Sequence, residues 1–140
     1  MMFSKRCEYA IRALIEMASS PASLHTIPKI SKAQEIPPKF LEQILLTLRQ
    51  AGLLTSRRGV GGGYSFAKPP SMIRVIDVLR AMDGDAFKMS PSRVRASSGS
   101  HPFDRFMADL EGMVVNKLTA TTIEDLMMLG ADRAHQHFEI

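Results

Sequence analysis

Two arginines followed by a glycine run carry the most suggestive chemistry in the chain: Arg57-Arg58-Gly59-Val60-Gly61-Gly62-Gly63. Arginine offers a planar fork of donors suited to phosphates and to narrow minor grooves. Glycines let the backbone approach a polyanion closely and turn bare N–H groups towards it. Two nucleotide-binding loops are ruled out by spacing. A P-loop needs Lys-Ser/Thr after its last glycine, where this chain has Tyr64-Ser65, and the dinucleotide fingerprint needs a third glycine where Tyr64 stands. The plain alternative is a hairpin tip with no partner.

A second set lies upstream. Lys39, Glu42 and Gln43 fall at three- and four-residue steps, opposite Phe40, Leu41, Ile44, Leu45 and Leu48. In a DNA major groove, Gln pairs bidentately with adenine, Glu accepts from cytosine, and Lys reaches guanine or phosphate. The plain alternative is a solvated helix face.

These residues need elements to hold them. Ser4 is an N-cap for a first helix whose apolar face is Cys7, Ala10, Ile11, Leu14, Met17 and Ala18. Thr26 caps a short second helix running to about Ala33, with Ile27 and Ile30 inward. Pro37-Pro38 opens the third helix and Ala51-Gly52 closes it. Strand-like pieces at 53–57 and 64–67 flank the glycine run as a β-hairpin. A further helix spans 73–82 and ends at Asp83-Gly84. Residues 85–101 are Ser-rich and without a clear period, which in a compact domain points to a functional or disordered loop. A long helix then carries the stripe Phe103, Phe106, Met107, Leu110, Met113, Val114 and Leu118. Thr122 caps a final short helix with Ile123, Leu126 and Met127, and the tail after Gly130 is polar and frayed.

The predicted fold is therefore mainly α with a small β-hairpin: a winged helix-turn-helix plus a long C-terminal dimerisation helix. The expected organisation is a DNA-binding domain over 1–84, a variable sensor-type loop over 85–101, dimerisation helices over 102–130 and a polar tail over 131–140.

Charge is distributed accordingly. The chain has 140 residues and a net charge of +4. Residues 1–70 hold ten Lys/Arg against four Asp/Glu, and residues 71–140 hold eight against ten. A basic front and a slightly acidic back suggest that only the front meets a polyanion. The apolar fraction is 45% and the charged fraction 23%, the composition of an ordinary globular protein. No uncharged apolar run approaches the ~20 residues of a membrane helix, and charges interrupt the first apolar stretch, so no signal peptide and no membrane partner are expected. Cys7 is the only cysteine, which excludes an intrachain disulfide and fits a cytoplasmic location.

The sequence resembles the Rrf2 family of winged-helix regulators, the family of IscR, NsrR and CymR. The matching stretches are Ser4-Lys5-Arg6-Cys7-Glu8-Tyr9-Ala10-Ile11-Arg12-Ala13-Leu14, Ile36-Pro37 with Phe40-Leu41-Glu42-Gln43-Ile44-Leu45, and Leu48 with Ala51-Gly52-Leu53. The most specific is Ser56-Arg57-Arg58-Gly59-Val60-Gly61-Gly62-Gly63-Tyr64, and Val75-Ile76-Asp77-Val78 with Asp83-Gly84 also fits. The resemblance is dense over 3–84 and looser over 101–129. It implies a homodimer with crossing C-terminal helices, recognition helices in successive major grooves and wings at the flanking minor grooves. It implies DNA contacts by Lys39, Glu42, Gln43, Arg57, Arg58, Gly59, Gly61 and Gly62. It implies dimerisation through Phe103, Phe106, Met107, Leu110, Met113 and Val114.

One departure matters. Many members carry three cysteines between the equivalents of Gly84 and His101 that hold an iron–sulfur cluster. This chain has none there; Ser97, Ser98 and Ser100 occupy the neighbourhood. Glu8 matches a carboxylate that supplies a cluster ligand in some members, and His101 lies near another ligand position. The plain readings are an exposed helix residue for Glu8 and a small core residue for Cys7. His135 and His137 lie in the polar tail and make a poor metal site.

The expected function is a sequence-specific DNA-binding transcription regulator, a repressor acting as a homodimer on a pseudo-palindromic operator in double-stranded DNA. It is expected to need no cofactor and no metal, and its effector, small molecule or protein, is unidentified. An iron–sulfur or thiol redox sensor on the same fold is one alternative. A dimeric protein-interaction module without DNA binding is another. No nucleophile with a base, metal spacing or cofactor loop points to an enzyme.

Overall fold

The computed structural model describes residues 3–84 and 101–138, with side chains described to residue 130. The loop expected over 85–101 lies outside the described residues except for His101, as do Ser97, Ser98 and Ser100 and the His135 and His137 side chains. Six α-helices and one two-stranded sheet make up the described part: α1 (Lys5–Ala18), α2 (Ile27–Gln34), α3 (Pro38–Gln50), β1 (Leu54–Arg57), β2 (Gly63–Phe66), α4 (Val75–Asp83), α5 (Pro102–Ala120) and α6 (Ile123–Phe138). A single 3-10 turn, Pro70–Met72, joins the hairpin to α4.

Local chemistry sets the helix starts. The Ser4 hydroxyl accepts from the Cys7 N–H at 3.1 Å, and Thr26 accepts from the Lys29 N–H at 3.4 Å. Pro38 occupies the first turn of α3, where a missing N–H costs nothing. On α4, the Asp77 carboxylate accepts from the Arg74 backbone N–H at 3.0 Å and pairs with its guanidinium at 2.9 Å. Thr122 and Asp125 cap α6 reciprocally, at 2.9 and 3.0 Å.

One apolar core joins these elements. Cys7, Ala10, Leu14 and Met17 of α1 meet Ile30 of α2, Leu41, Ile44, Leu45 and Leu48 of α3, and Ile76, Val78 and Leu79 of α4. Each fully buried aliphatic side chain of this kind contributes about 1.5–3 kcal/mol. Phe40 departs from expectation. Placed in the buried face by its spacing, it is 39% exposed and instead packs edge-on against Tyr9, with ring centroids 5.6 Å apart. The core face of α3 is left to Leu41, Ile44, Leu45 and Leu48.

The hairpin pairs antiparallel, Leu54 with Phe66 through Arg57 with Gly63. It gains a third, one-residue rung: His25 and Tyr64 exchange both backbone hydrogen bonds at 2.8 Å. The segment before α2 is thereby fixed to the wing. A similar rung joins the segment before α4 to the junction of α5 and α6. The Val75 N–H donates to the Thr121 carbonyl and the Ile123 N–H to the Ile73 carbonyl, both at 2.9 Å, and the Ile123 side chain is fully buried. The α6 backbone then continues through Gly130 to Phe138, so the stretch expected to fray as a tail is helical. Glycine interrupts a helix only weakly, at about 1 kcal/mol.

Candidate nucleic-acid interface

The outer face of α3 is the first part of the interface. Burial of Leu41, Ile44, Leu45 and Leu48 fixes the rotation of the helix, so Lys39, Glu42 and Gln43 face solvent together near its N-terminus. Leu46, 38% exposed, continues this face by one turn. Among the described residues, Lys39 and Glu42 belong to no ion pair, and their side chains are available to a partner. The Arg49 guanidinium donates to the Ser56 hydroxyl at 2.9 Å, which links the end of α3 to the first wing strand. Sequence reasoning missed this link, because Arg49 reads there as one more surface cation.

The wing is the second part. Arg57 closes the strand ladder opposite Gly63, and Arg58 stands one residue beyond it. Both are exposed and, among the described residues, neither forms an ion pair. The tip is a β-turn in which the Gly62 N–H donates to the Gly59 carbonyl at 3.0 Å. Gly61 sits at its third position with φ 78°, the left-handed geometry of a type II turn. At Gly63 a Cβ would lie 2.6 Å from the His25 carbonyl oxygen, inside any real contact, so the added rung demands glycine. The glycines therefore have a structural reason besides approach to an anion, and the Gly62 N–H is already committed within the tip. His25 was also missed. It is 4% exposed, its ring Nε2 lies 3.0 Å from the Ser20 carbonyl oxygen, and it ties the wing to the helix-turn-helix.

Helix α2 adds two further cations. Lys29 and Lys32 of α2 are exposed and, among the described residues, form no ion pair. In helix-turn-helix proteins the first helix of the pair crosses the phosphate backbone while the second enters the groove.

Family comparison matches this geometry. The profile of the Rrf2 family, described as iron-dependent transcriptional regulators, aligns with residues 3–128. The chain belongs to the Rrf2 family. It is similar to an HTH-type transcriptional regulator of Mycobacterium tuberculosis, 42% identical over 87 residues, which are 60% of this chain and 53% of that protein. The chain thus spans about half the length of that relative. It is 31% identical over 145 residues to the rrf2-like regulator of Rhodobacter capsulatus, covering 92% of this chain and 94% of that one. Among solved structures it resembles CymR, the global cysteine regulator of Bacillus subtilis, with a TM-score of 0.79 and 26% identity over 91% of this chain and 96% of that one. The winged helix-turn-helix expected from the sequence is the fold observed.

The donors of this Rrf2 chain do not fit a cysteine-ligated iron–sulfur cluster. Such clusters are held by several thiolates, and the chain has one cysteine. Cys7 is fully buried, and burial, with a smaller push from the Asp83 charge, raises its thiol to about 12. A thiol that stays protonated is a poor ligand. Glu8 is engaged with Arg12 at 2.9 Å and Lys5 at 3.9 Å. The His101 ring accepts from the Phe103 N–H at 3.1 Å and caps α5. Among the described residues, no three His, Cys, Asp or Glu side chains converge as a metal site would require.

The C-terminal helix has a different character. Over the whole of α5 only Leu118 is buried. Phe103 and Phe106 are each 60% exposed and Met113 63%, while Met107, Leu110 and Val114 are half-buried. No helix among the described residues is long and apolar enough to cross a membrane.

Proposed function

We propose that the chain is a sequence-specific DNA-binding transcription regulator that acts as a homodimer on a two-fold symmetric operator. The observation that carries this reading is the common exposure of Lys39, Glu42 and Gln43 on α3, with Arg57 and Arg58 of the wing also exposed and, among the described residues, in no ion pair. Lys39, Glu42 and Gln43 read base edges in the major groove. Arg57 and Arg58, with the backbone of Gly59, Gly61 and Gly62, meet phosphates and the adjacent minor groove. Two copies join through the α5 stripe of Phe103, Phe106, Met107, Leu110, Met113 and Val114. A single α5 leaves Phe103, Phe106 and Met113 of this stripe mostly in water, which favours an isologous contact between copies. A cytoplasmic location and repression by occupancy of promoter DNA belong to the same reading. Nothing in the site calls for a catalytic role or a resident cofactor.

Fluorescence anisotropy with a random-sequence duplex, titrated at several salt concentrations, tests the charge-bearing half of the proposal. The affinity is expected to fall with salt. Combined Arg57→Ala and Arg58→Ala substitution is expected to flatten the dependence by about 0.9 in log–log slope for each phosphate that the wing no longer neutralises. An unchanged slope and affinity would remove the wing from the interface.

A further inference from the structure

The wing tip holds one side chain that neither the core nor the charge argument uses. Val60 is fully exposed, at 109% of its reference area, between Gly59 and Gly61. It occupies the second position of the tip turn closed by Gly62 and Gly59, and so stands at the apex of the wing. Its neighbours on both sides lack side chains, so the isopropyl group is the whole lateral surface of the tip. A β-branched apolar group held alone at a turn apex gives nothing to the stability of the free chain, where it remains in water. At that apex it is open to contact by whatever the wing meets.

We propose that Val60 is a specificity-determining residue that makes the wing prefer A·T over G·C pairs in the minor groove it enters. The inference rests on the wing meeting DNA and adds what the wing reads there. In the minor groove, A·T pairs show only the adenine N3 and thymine O2 acceptors, whereas G·C adds the guanine N2 amino donor. That amino group stands up from the groove floor. Valine has no acceptor to offer it, so a G·C pair under the tip leaves a donor stripped of water and unpaired. Over A·T the isopropyl group packs against the sugar walls, and the acceptors remain for the Arg57 and Arg58 donors. The arginines favour the narrow A·T groove through its potential; Val60 excludes the guanine amino group by shape and polarity. One unpaired buried donor corresponds to a discrimination of about tenfold per pair.

The test uses the full-length chain and an operator selected in vitro from a random duplex pool. The pairs under the wing are varied as A·T, G·C and I·C, inosine being guanine without the N2 amino group. The wild-type chain is expected to bind the A·T and I·C duplexes alike and the G·C duplex about tenfold more weakly. Val60→Thr keeps the shape and supplies an acceptor, and is expected to bring the G·C duplex close to the other two. Both chains should show the same salt dependence, because no charge changes. Equal wild-type binding to all three duplexes, I·C behaving as G·C, or a Val60→Thr profile matching wild type would each overturn the proposal. The Arg57→Ala/Arg58→Ala chain separates the two levels. If it binds more weakly while any of those results is obtained, the wing meets DNA and Val60 does not read it. If it binds as wild type does, the wing placement itself fails.

Discussion

The winged unit and α5 bury their apolar residues to very different degrees. In residues 3–84 Leu14 of α1, Leu41, Ile44, Leu45 and Leu48 of α3, and Ile76, Val78 and Leu79 of α4 are almost wholly removed from water by their own chain. In α5, Phe103, Phe106 and Met113 remain mostly exposed and only Leu118 is buried. The two regions do not differ in apolar content so much as in where its partner lies. The first region closes its core with little more than Leu118 and Ile123 from outside it, and turns its charged and polar residues outward. The second has an apolar face that, among the described residues, stays partly uncovered, as the proposed dimer would require. On that proposal, burial within a single copy separates the surface that reads DNA from the surface that assembles.

Core deletion should produce the largest effect. Ile44 is fully buried and fixes the rotation of α3, so Ile44→Ala is expected to cost about 2–5 kcal/mol in urea unfolding. A loss below about 1 kcal/mol would show that α3 is held by something other than this core. Leu110→Asp acts on the other region. It is expected to leave the helical content of the winged unit intact and to yield monomers in sedimentation equilibrium; a stable dimer would place the contact elsewhere. Glu42→Ala and Gln43→Ala leave both regions folded. Each is expected to cost about 1–3 kcal/mol at its own base pair and little on random DNA, and uniform loss across sequences would contradict base reading.

Cys7 offers a smaller and pH-dependent contrast. Its folded thiol is raised to about 12 by burial first and by Asp83 second. The unfolded thiol ionises near 8.5. The folded state therefore keeps a proton that the unfolded state has lost, and stability falls as pH rises from about 8.5 towards 12. Cys7→Ala removes this contribution. Its unfolding free energy is expected to fall less steeply with pH over 9–11 than that of the wild type. Parallel slopes would mean that the thiol is solvated.

Much of the reading unit was legible in side-chain chemistry. Ser4, Thr26 and the Pro37-Pro38 pair mark helix starts, and the spacing of Leu41, Ile44, Leu45 and Leu48 fixes which face of α3 is left for DNA. What escaped was carried by the backbone. The His25–Tyr64 rung and the Val75–Thr121 and Ile123–Ile73 bonds join segments far apart in sequence through N–H and carbonyl groups that every residue has. Phe40 escaped for a different reason: periodicity assigns a face but not how far the neighbouring elements cover it, and Phe40 stays exposed beside Tyr9. For α5 the stripe was plain, but no pattern within one chain distinguishes a face covered by its own fold from one covered by a second copy.

On the proposed reading, a dimer made by α5 sets two copies of the α3 and wing surface on one duplex. Hydroxyl-radical footprinting of the chain on its selected operator is the sharpest check. Two equivalent protected half-sites are expected about one helical turn apart, related by a two-fold axis, with protection extending into the minor grooves flanking each recognition helix. A single asymmetric footprint, or protection that leaves those minor grooves open, would contradict it.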